Sequence, residues 1–317
     1  MDLSIVVALY NERESLPELL DRIGIVLAPL SLNYEVVLID DGSRDGSWDY
    51  IAERATSDIR IKGMRFRRNY GKSAALFCGF EAAKGDVVIT MDADLQDSPD
   101  EIPELCQMIQ SGEYDLVSGW KKRRHDGLLS KNLPSKLYNA TARMVTGVRL
   151  HDMNCGLKVY RKEVIKSIEV YGEMHRYIPY LAKTAGFERI GEKVVHHTAR
   201  KYGKSKFGLN RFVNGFLDLL SLWFLSKFGK KPMHFFGLVG SLTFLGGVAC
   251  AIIIIVKKLI AQSQGLYFRA VTDQPLFYLA LVALIVGMLL FLAGFLGELI
   301  SRSSVDRNNY LIDKRIE

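Results

Sequence analysis

Apolar positions along the chain fall into two regimes. Up to about residue 205, short β-branched and apolar runs alternate with segments whose apolar residues recur at helical spacing. The runs Leu3–Ala8, Tyr34–Ile39, Lys62–Arg67, Asp86–Met91 and Asp115–Ser118 read as strands of a buried parallel sheet. Helices fit Glu14–Leu27, Gly46–Ala55, Ser73–Ala83, Pro99–Ile109, Ser135–Thr146 and the stretch near Tyr177–Ala185. Ser98-Pro99-Asp100-Glu101 supplies a cap, a first-turn proline and acidic residues at one helix start. The alternation predicts an α/β domain, a Rossmann-like and mostly parallel sheet with helices on its faces. Cys155–Tyr160 reads as a further extended stretch.

The second regime is apolar almost throughout. Phe235–Val256 and Leu276–Gly297 carry no charge. At about 1.5 Å per residue each spans roughly 33 Å, enough for a bilayer core. The glycines within them, Gly237, Gly240, Gly246, Gly247, Gly287, Gly294 and Gly297, predict close helix approach. Between the regimes, Phe207, Phe212, Phe216, Leu219, Leu220, Trp223, Phe224 and Phe228 recur at helical spacing among Arg211, Lys227, Lys230 and Lys231. That pattern suits amphipathic helices on a membrane interface. The expected organisation is a globular domain over 1–206, juxtamembrane helices over 207–233 and a two-span region over 234–317 ending in a tail. Basic residues flank both sides of the spans, so the positive-inside bias is slight. The chain opens on a strand with no signal-like segment, which predicts a multi-pass protein of the cell membrane with the domain and both termini cytosolic.

At 317 residues and 49% hydrophobic, the chain can hold one large domain and more. A net charge of +7 leaves nucleic acid, anionic lipid and phosphorylated substrates as partners. The basic run Lys121-Lys122-Arg123-Arg124, with Lys131 and Lys136, lacks the interleaved aromatics of a base-stacking platform, which argues against nucleic acid. Cys78, Cys106, Cys155 and Cys250 show no C-x-x-C spacing, so neither a zinc site nor a disulfide framework is expected.

The candidate chemistry sits at strand ends. The run Val87–Met91 stops at Asp92-Ala93-Asp94-Leu95-Gln96. Residues two apart on an extended backbone point the same way, so Asp92 and Asp94 aim together at the mouth of the sheet. Two hard oxygen ligands there suit Mg²⁺ or Mn²⁺ with a ligand's phosphates completing the shell. A solvated acidic turn is the plainer alternative. Tyr10 and Glu12 follow the first strand and can stack on and hydrogen-bond a nucleoside, or simply cap the next helix. Asp40-Asp41-Gly42-Ser43 ends the second strand in a tight turn, where a carboxylate can accept from a nucleobase imide. Arg200 and Lys206 form a second basic cluster, and arginine grips phosphate in a fork where lysine offers a point charge. Glu173, His175 and Arg176 form a polar cluster without an assigned role. His196 and His197 face opposite ways on a strand and read as structural.

Taken in order and spacing, several stretches resemble family 2 glycosyltransferases of the GT-A fold. They are Ala8-Leu9-Tyr10-Asn11-Glu12, Asp40-Asp41-Gly42-Ser43-Arg44-Asp45-Gly46-Ser47, Gly71-Lys72-Ser73, Asp92-Ala93-Asp94-Leu95-Gln96, Asp152-Met153-Asn154-Cys155-Gly156-Leu157-Lys158 and Arg200-Lys201-Tyr202-Gly203-Lys204-Ser205-Lys206. The similarity is greatest to the polyprenyl-phosphate sugar transferases, typified by dolichol-phosphate mannose synthase and including two-span undecaprenyl-phosphate glucosyltransferases. The resemblance covers residues 3 to about 210 in motif detail and the remainder in architecture. It implies an inverting transfer from a UDP- or GDP-sugar to undecaprenyl or dolichyl phosphate at a bilayer, in a chain that can form homo-oligomers. It implies nucleotide contacts from Ala8, Tyr10, Glu12, Ile39, Asp41, Lys72, Asp92, Ala93 and Lys121, and Mg²⁺ or Mn²⁺ on Asp92, Asp94 and Gln96. Asp94 and Asp152 would be catalytic. Arg123, Arg124, Arg200, Ser205 and Lys206 would bind the acceptor phosphate.

Asp152 faces the acceptor in that family as a proposed base. A phosphate monoester has its second pKa near ~6, so the acceptor is already mostly dianionic at neutral pH and needs orientation more than deprotonation. Asp152 can equally fix a basic residue or the sugar hydroxyls. Two positions depart from the family pattern: Ala8 stands where proline is common, and Lys121 where arginine is. The nearest rival activity, a processive polysaccharide synthase, uses Gln-x-x-Arg-Trp, and no Arg-Trp pair occurs in this chain. A non-catalytic scaffold would be expected to lose a carboxylate of the metal motif, and a sugar-lipid flippase to have more than two spans.

Overall fold

A computed structural model describes residues 1–122, 140–198, 201, 202, 224, 232–267, 269–303 and 312–316. They fall into two compact units, Met1–Leu219 with Arg307–Glu317, and Leu220–Asp306.

The first unit is built on one eight-stranded sheet. Its strands are β1 (Leu3–Leu9), β2 (Tyr34–Asp40), β3 (Ile61–Phe66), β4 (Val87–Asp92), β5 (Leu116–Trp120), β6 (Lys158–Arg161), β7 (Ile190–Val194) and β8 (Ile312–Ile316), in the order β7-β5-β6-β4-β1-β2-β3-β8. β1 pairs parallel with both β2 and β4, and β2 parallel with β3. β6 runs antiparallel between β4 and β5, while β7 is parallel to β5. The mostly parallel α/β expectation therefore holds, and the five expected strands form within a residue or two of their predicted ends. Three further strands complete the sheet. One of them, β8, is the C-terminal tail, added antiparallel to the edge of β3.

The side chains of β1 alternate between the two faces, as the pleat requires. Leu3, Ile5 and Val7 pack with α1 (Leu16–Leu27), α2 (Ser47–Ser57) and α4 (Ile102–Gln110). Val6 packs with α3 (Lys72–Ala82), α5 (Lys162–Ser167) and α6 (Ile178–Thr184). α3 lies very close to the sheet: a Cβ at Gly79 would come 2.3 Å from Val6 Cγ1. α4 begins in a 3₁₀ turn, Pro99–Glu101, whose Asp100 N–H donates to the Ser98 side chain. Residues 140–146 are helical, the end of the expected Ser135–Thr146 helix, whose first residues lie outside those described.

The second unit is a helical hairpin of α7 (Pro232–Ser263) and α8 (Pro275–Ser303). Met233–Ser263 and Pro275–Gly297 have mean hydropathies of 2.5 and 2.9, and both are long and apolar enough to cross a membrane. Glycines set the crossing. A Cβ at Gly240 would fall 2.6 Å from the Gly287 carbonyl oxygen, and one at Gly247 would fall 2.9 Å from that of Ala280. Gly246 meets nothing and plays no part in the contact. The aromatic stretch 207–228 lies outside the described residues except for Phe224, whose ring centroid is 5.4 Å from that of Phe236.

Candidate active site

The strand register assembles the site. Ala8 is the register partner of both Ile39 and Asp92, and Leu9 that of Asp40. The chain winds from β1 outward through β2 and β3, then returns to place β4 on the other side of β1. The carboxyl ends of β1 and β4 thus flank the point where strand order reverses, the position at which open α/β sheets bind ligands.

The loops after β1 and β2 are tied together. Asn11, in the left-handed region at φ 56°, donates its N–H to Ser43 Oγ at 2.8 Å and accepts the Arg44 N–H at 2.9 Å. The Glu12 N–H reaches Ser47 Oγ, and the Arg13 N–H reaches Asp45 Oδ2. The Asp-Gly-Ser-Arg-Asp-Gly-Ser segment is therefore a clamp that shapes the loop carrying Tyr10 and Glu12. Gly42 sits at φ 76°, where a Cβ would also lie 2.7 Å from the Arg68 carbonyl carbon. Asp41 accepts the Tyr70 N–H at 2.6 Å and the Gly71 N–H at 2.9 Å. Burial raises the Asp41 carboxyl above its ordinary value despite those two donors. Asp41 thus fixes the turn that delivers Lys72 at the start of α3.

Lys72 Nζ donates to Asp92 Oδ1. The Asp92 side chain is one-third exposed, open to the cleft. Desolvation pushes its carboxyl up, but Lys72 and Lys121 override this and hold it at about 2. Ala93 and Asp94 are buried, and Asp94 Oδ1 accepts the Gln96 N–H at 3.1 Å across Leu95, which is left-handed at φ 57°. Gly156 completes the wall, since a Cβ there would come within 2.4 Å of Asp92 Oδ2. Two hard carboxylates at a strand end, one of them partly exposed, fit a divalent cation. Among the described residues no third acidic, histidine or cysteine ligand joins them.

Lys121 is not a solvent-facing loop residue. Its Nζ lies 2.7 Å from Asp97 Oδ1, and both side chains are largely buried. Burial opposes its charge, but the Asp97 and Asp92 carboxylates hold the ammonium above its ordinary value. Asp152 is a buried residue of the loop before β6. Its N–H and that of His151 donate to Glu192 Oε1 on β7 at 3.0 and 2.8 Å, and the His151 ring stacks on Trp120 at 4.1 Å.

Sequence reasoning gave no role to three further residues here, although His175 was noted in a polar cluster. Lys158 is buried on β6 and donates to the Cys155 carbonyl. Burial pushes its ammonium below the ordinary value, reinforced by the charge of Lys72. His175 donates its backbone N–H to Ser73 Oγ, whose hydroxyl lies 3.0 Å from His175 Nδ1. Burial, with Lys72 and Arg176 nearby, holds that imidazole well below its usual value and therefore neutral. Asp97 pairs with Lys121 as described. The motifs contained Lys158 and Ser73, but no spacing rule marks a buried lysine or a serine–histidine pair far apart in sequence. Arg123, Arg124, Arg200, Ser205 and Lys206 lie outside the described residues. Their neighbours Lys201 and Tyr202 both bond Glu18 on α1, at 2.6 and 3.0 Å.

Sheet order, switch-point carboxylates and flanking helices define a domain of the GT-A type. Solved structures share this fold: glucosyl-3-phosphoglycerate synthase of Mycobacterium tuberculosis (TM-score 0.53, 21% identity, 72% of this chain and 80% of that one) and mannosyl-3-phosphoglycerate synthase of Rubrobacter xylanophilus (TM-score 0.55, 17% identity, 72% and 75%). The profile of glycosyl transferase family 2 matches residues 4–169, and the chain belongs to that family. It is a glycosyltransferase. It is 38% identical over 304 residues to the undecaprenyl-phosphate 4-deoxy-4-formamido-L-arabinose transferase of Aeromonas hydrophila, covering 96% of this chain and 89% of that one. It is 34% identical over 308 residues to the dodecaprenyl-phosphate galacturonate synthase of Rhizobium johnstonii, covering 96% and 88%.

Proposed function

We propose that this glycosyltransferase moves a sugar from a UDP- or GDP-sugar to a polyprenyl phosphate, with inversion, at the cytosolic face of a membrane. The observation that carries the reading is the register of Asp92 against Ala8 at the switch point, in a chain that continues into two helices able to span a bilayer. The names of both relatives, which include undecaprenyl and dodecaprenyl phosphate, support the acceptor class. The manganese and UDP-glucose in structures of the mycobacterial fold relative support the donor and metal class.

Asp92 and Asp94, with Gln96 beside them, would hold Mg²⁺ or Mn²⁺. That cation supplies charge neutralisation for the departing nucleoside diphosphate. Tyr10, Glu12, Ala8, Ile39 and Asp41 shape the nucleoside end of the cleft. Lys72, tethered to Asp92, places a second positive charge where the diphosphate must lie. Asp152, held by Glu192, orients the acceptor side. A phosphate oxygen of the acceptor attacks C1, the bond from C1 to the diphosphate oxygen breaks, and this single displacement inverts the anomeric centre. Arg123, Arg124, Arg200, Ser205 and Lys206 are the proposed grip on the lipid phosphate. The domain, residues 1–206, would stay with the cytosolic donor pool, 207–233 would lie on the interface, and two spans return the tail to the same side.

The test is a panel of radiolabelled UDP- and GDP-sugars supplied to purified protein with undecaprenyl or dodecaprenyl phosphate. Transfer of label into a lipid-extractable product from one donor supports the reading. No transfer from any donor to either acceptor, under conditions where hydrolysis of the donor is seen, contradicts it.

A further inference from the structure

The turn that carries the two carboxylates contains a conformation it would not hold alone. Leu95 has a positive φ of 57°, a region that a branched non-glycine side chain rarely adopts. Such a residue persists only where the surroundings over-determine it. Within the turn one bond helps, the Gln96 N–H to Asp94 Oδ1. The rest comes from the continuation of β7. The Thr198 hydroxyl donates to the Leu95 carbonyl at 2.8 Å, and the Thr198 N–H to the Gln96 carbonyl at 3.0 Å. His197 Nδ1 lies 3.2 Å from the same Gln96 oxygen, and Asp97 and His197 form an isolated antiparallel bridge. Both carbonyls at the bend are thus taken by two adjacent residues about a hundred positions away in sequence.

The same rib is anchored on the far side of the turn. The His196 N–H donates to Glu101 Oε1 at 3.0 Å, and Lys193 Nζ pairs with Glu101 and with Glu104. Glu101 belongs to the 3₁₀ turn that follows the carboxylate motif. Motif, turn and rib form one hydrogen-bonded frame.

We propose that Thr198 and His197 are positioning residues for the cation site, acting through the carbonyls of Leu95 and Gln96 and touching neither metal nor substrate. The proposal rests on the reading of Asp92 and Asp94 as metal ligands. Partners that orient ligands in this way typically change metal affinity by about 10–100-fold when removed. Thr198→Val keeps the shape and removes the hydroxyl, and Thr198→Ser restores it. His197→Ala removes the ring donor, and His197→Asn returns one near the Nδ1 position.

The experiment measures Mn²⁺ binding to the full-length protein in detergent, without donor or acceptor, from the electron paramagnetic resonance signal of the free ion. Thr198→Val and His197→Ala should each raise the Mn²⁺ dissociation constant about tenfold or more. Thr198→Ser and His197→Asn should stay within a few-fold of wild type. Thermal unfolding separates this from general damage: Thr198→Val should unfold close to the wild-type midpoint, and added Mn²⁺ should restore its transfer activity. Wild-type affinity in both Thr198→Val and His197→Ala overturns the positioning role while leaving the metal reading intact. Wild-type protein that binds no Mn²⁺ and transfers sugar in excess chelator overturns the metal reading itself, and the positioning role with it.

Discussion

Glu192 Oε1 accepts the backbone N–H of Asp152 at 3.0 Å, so a strand at the edge of the sheet fixes the loop that carries Asp152, the residue proposed to orient the acceptor. The same oxygen takes the His151 N–H, and Glu192 Oε2 lies 2.7 Å from His151 Nδ1. Hydrogen bonds to a charged group are each worth about 1.5–3 kcal/mol. Glu192→Ala should therefore lower kcat at least tenfold at saturating donor and acceptor. Glu192→Gln keeps one carbonyl oxygen for the two amides and should recover part of the loss. Steady-state kinetics on the three proteins checks this, and an unchanged kcat in Glu192→Ala would remove Glu192 from the account.

Asp152 itself distinguishes orientation from proton transfer. The acceptor phosphate has its second pKa near ~6 and is mostly dianionic above neutral pH. If Asp152 orients, Asp152→Asn loses the same factor of kcat at every pH between about 6 and 9. A defect that shrinks steadily as pH rises would instead mark Asp152 as a base.

The Lys72–Asp92 pair predicts an acid limb. Desolvation alone would raise the Asp92 carboxyl, and Lys72 is the foremost of the charges that bring it down to about 2. A depressed carboxyl contributes stability that is complete above its unfolded value, near ~3.9, and is lost as pH falls towards about 2. Lys72→Met should shift that limb to higher pH, seen as an earlier loss of circular dichroism on acidification. The same variant should lower kcat/KM for the donor, because a positive charge leaves the proposed diphosphate site.

Gly156 is a tight place in the wall. Its substitution by alanine would set a Cβ 2.4 Å from Asp92 Oδ2. Gly156→Ala should weaken Mn²⁺ binding and transfer by more than tenfold while the rest of the sheet stays folded, as Mn²⁺ titration followed by thermal unfolding would show.

The central strands were legible because both faces of β1, β2 and β4 are buried, so their apolar runs are uninterrupted. β6 was read only as part of an extended stretch over Cys155–Tyr160, and β7 and β8 were not read as strands. Lys158-Val-Tyr-Arg161, Ile190-Gly-Glu-Lys-Val194 and Ile312-Asp-Lys-Arg-Ile316 mix charges into short runs, and only pairing partners distant in sequence make them strands. The metal motif was read from period-two geometry at a strand end, whereas β4 stops at Asp92 and Asp94 lies in the turn that follows. Lys121 read as one of a basic run and as a nucleotide contact, while its ammonium pairs with the buried Asp97, a partner that no local pattern encodes. Asp41 read as a nucleobase ligand, while its two oxygens also hold the Tyr70-Gly71 turn, a second task that no local pattern encodes. Lys158 breaks the rule that lysines stay exposed, and only the surrounding Asp92, Asp152 and Cys155 carbonyl give it a place.

The central claim is that the sugar alone is transferred, with the whole diphosphate leaving. A donor labelled with ¹⁴C in the sugar and ³²P in the β-phosphate tests it directly, using purified protein, a polyprenyl phosphate and Mn²⁺. The account predicts ¹⁴C in the lipid extract and all ³²P in the aqueous nucleoside diphosphate. Appearance of ³²P in the lipid together with ¹⁴C would mean transfer of a sugar phosphate, and would contradict attack at C1 and the role given to Asp92 and Asp94.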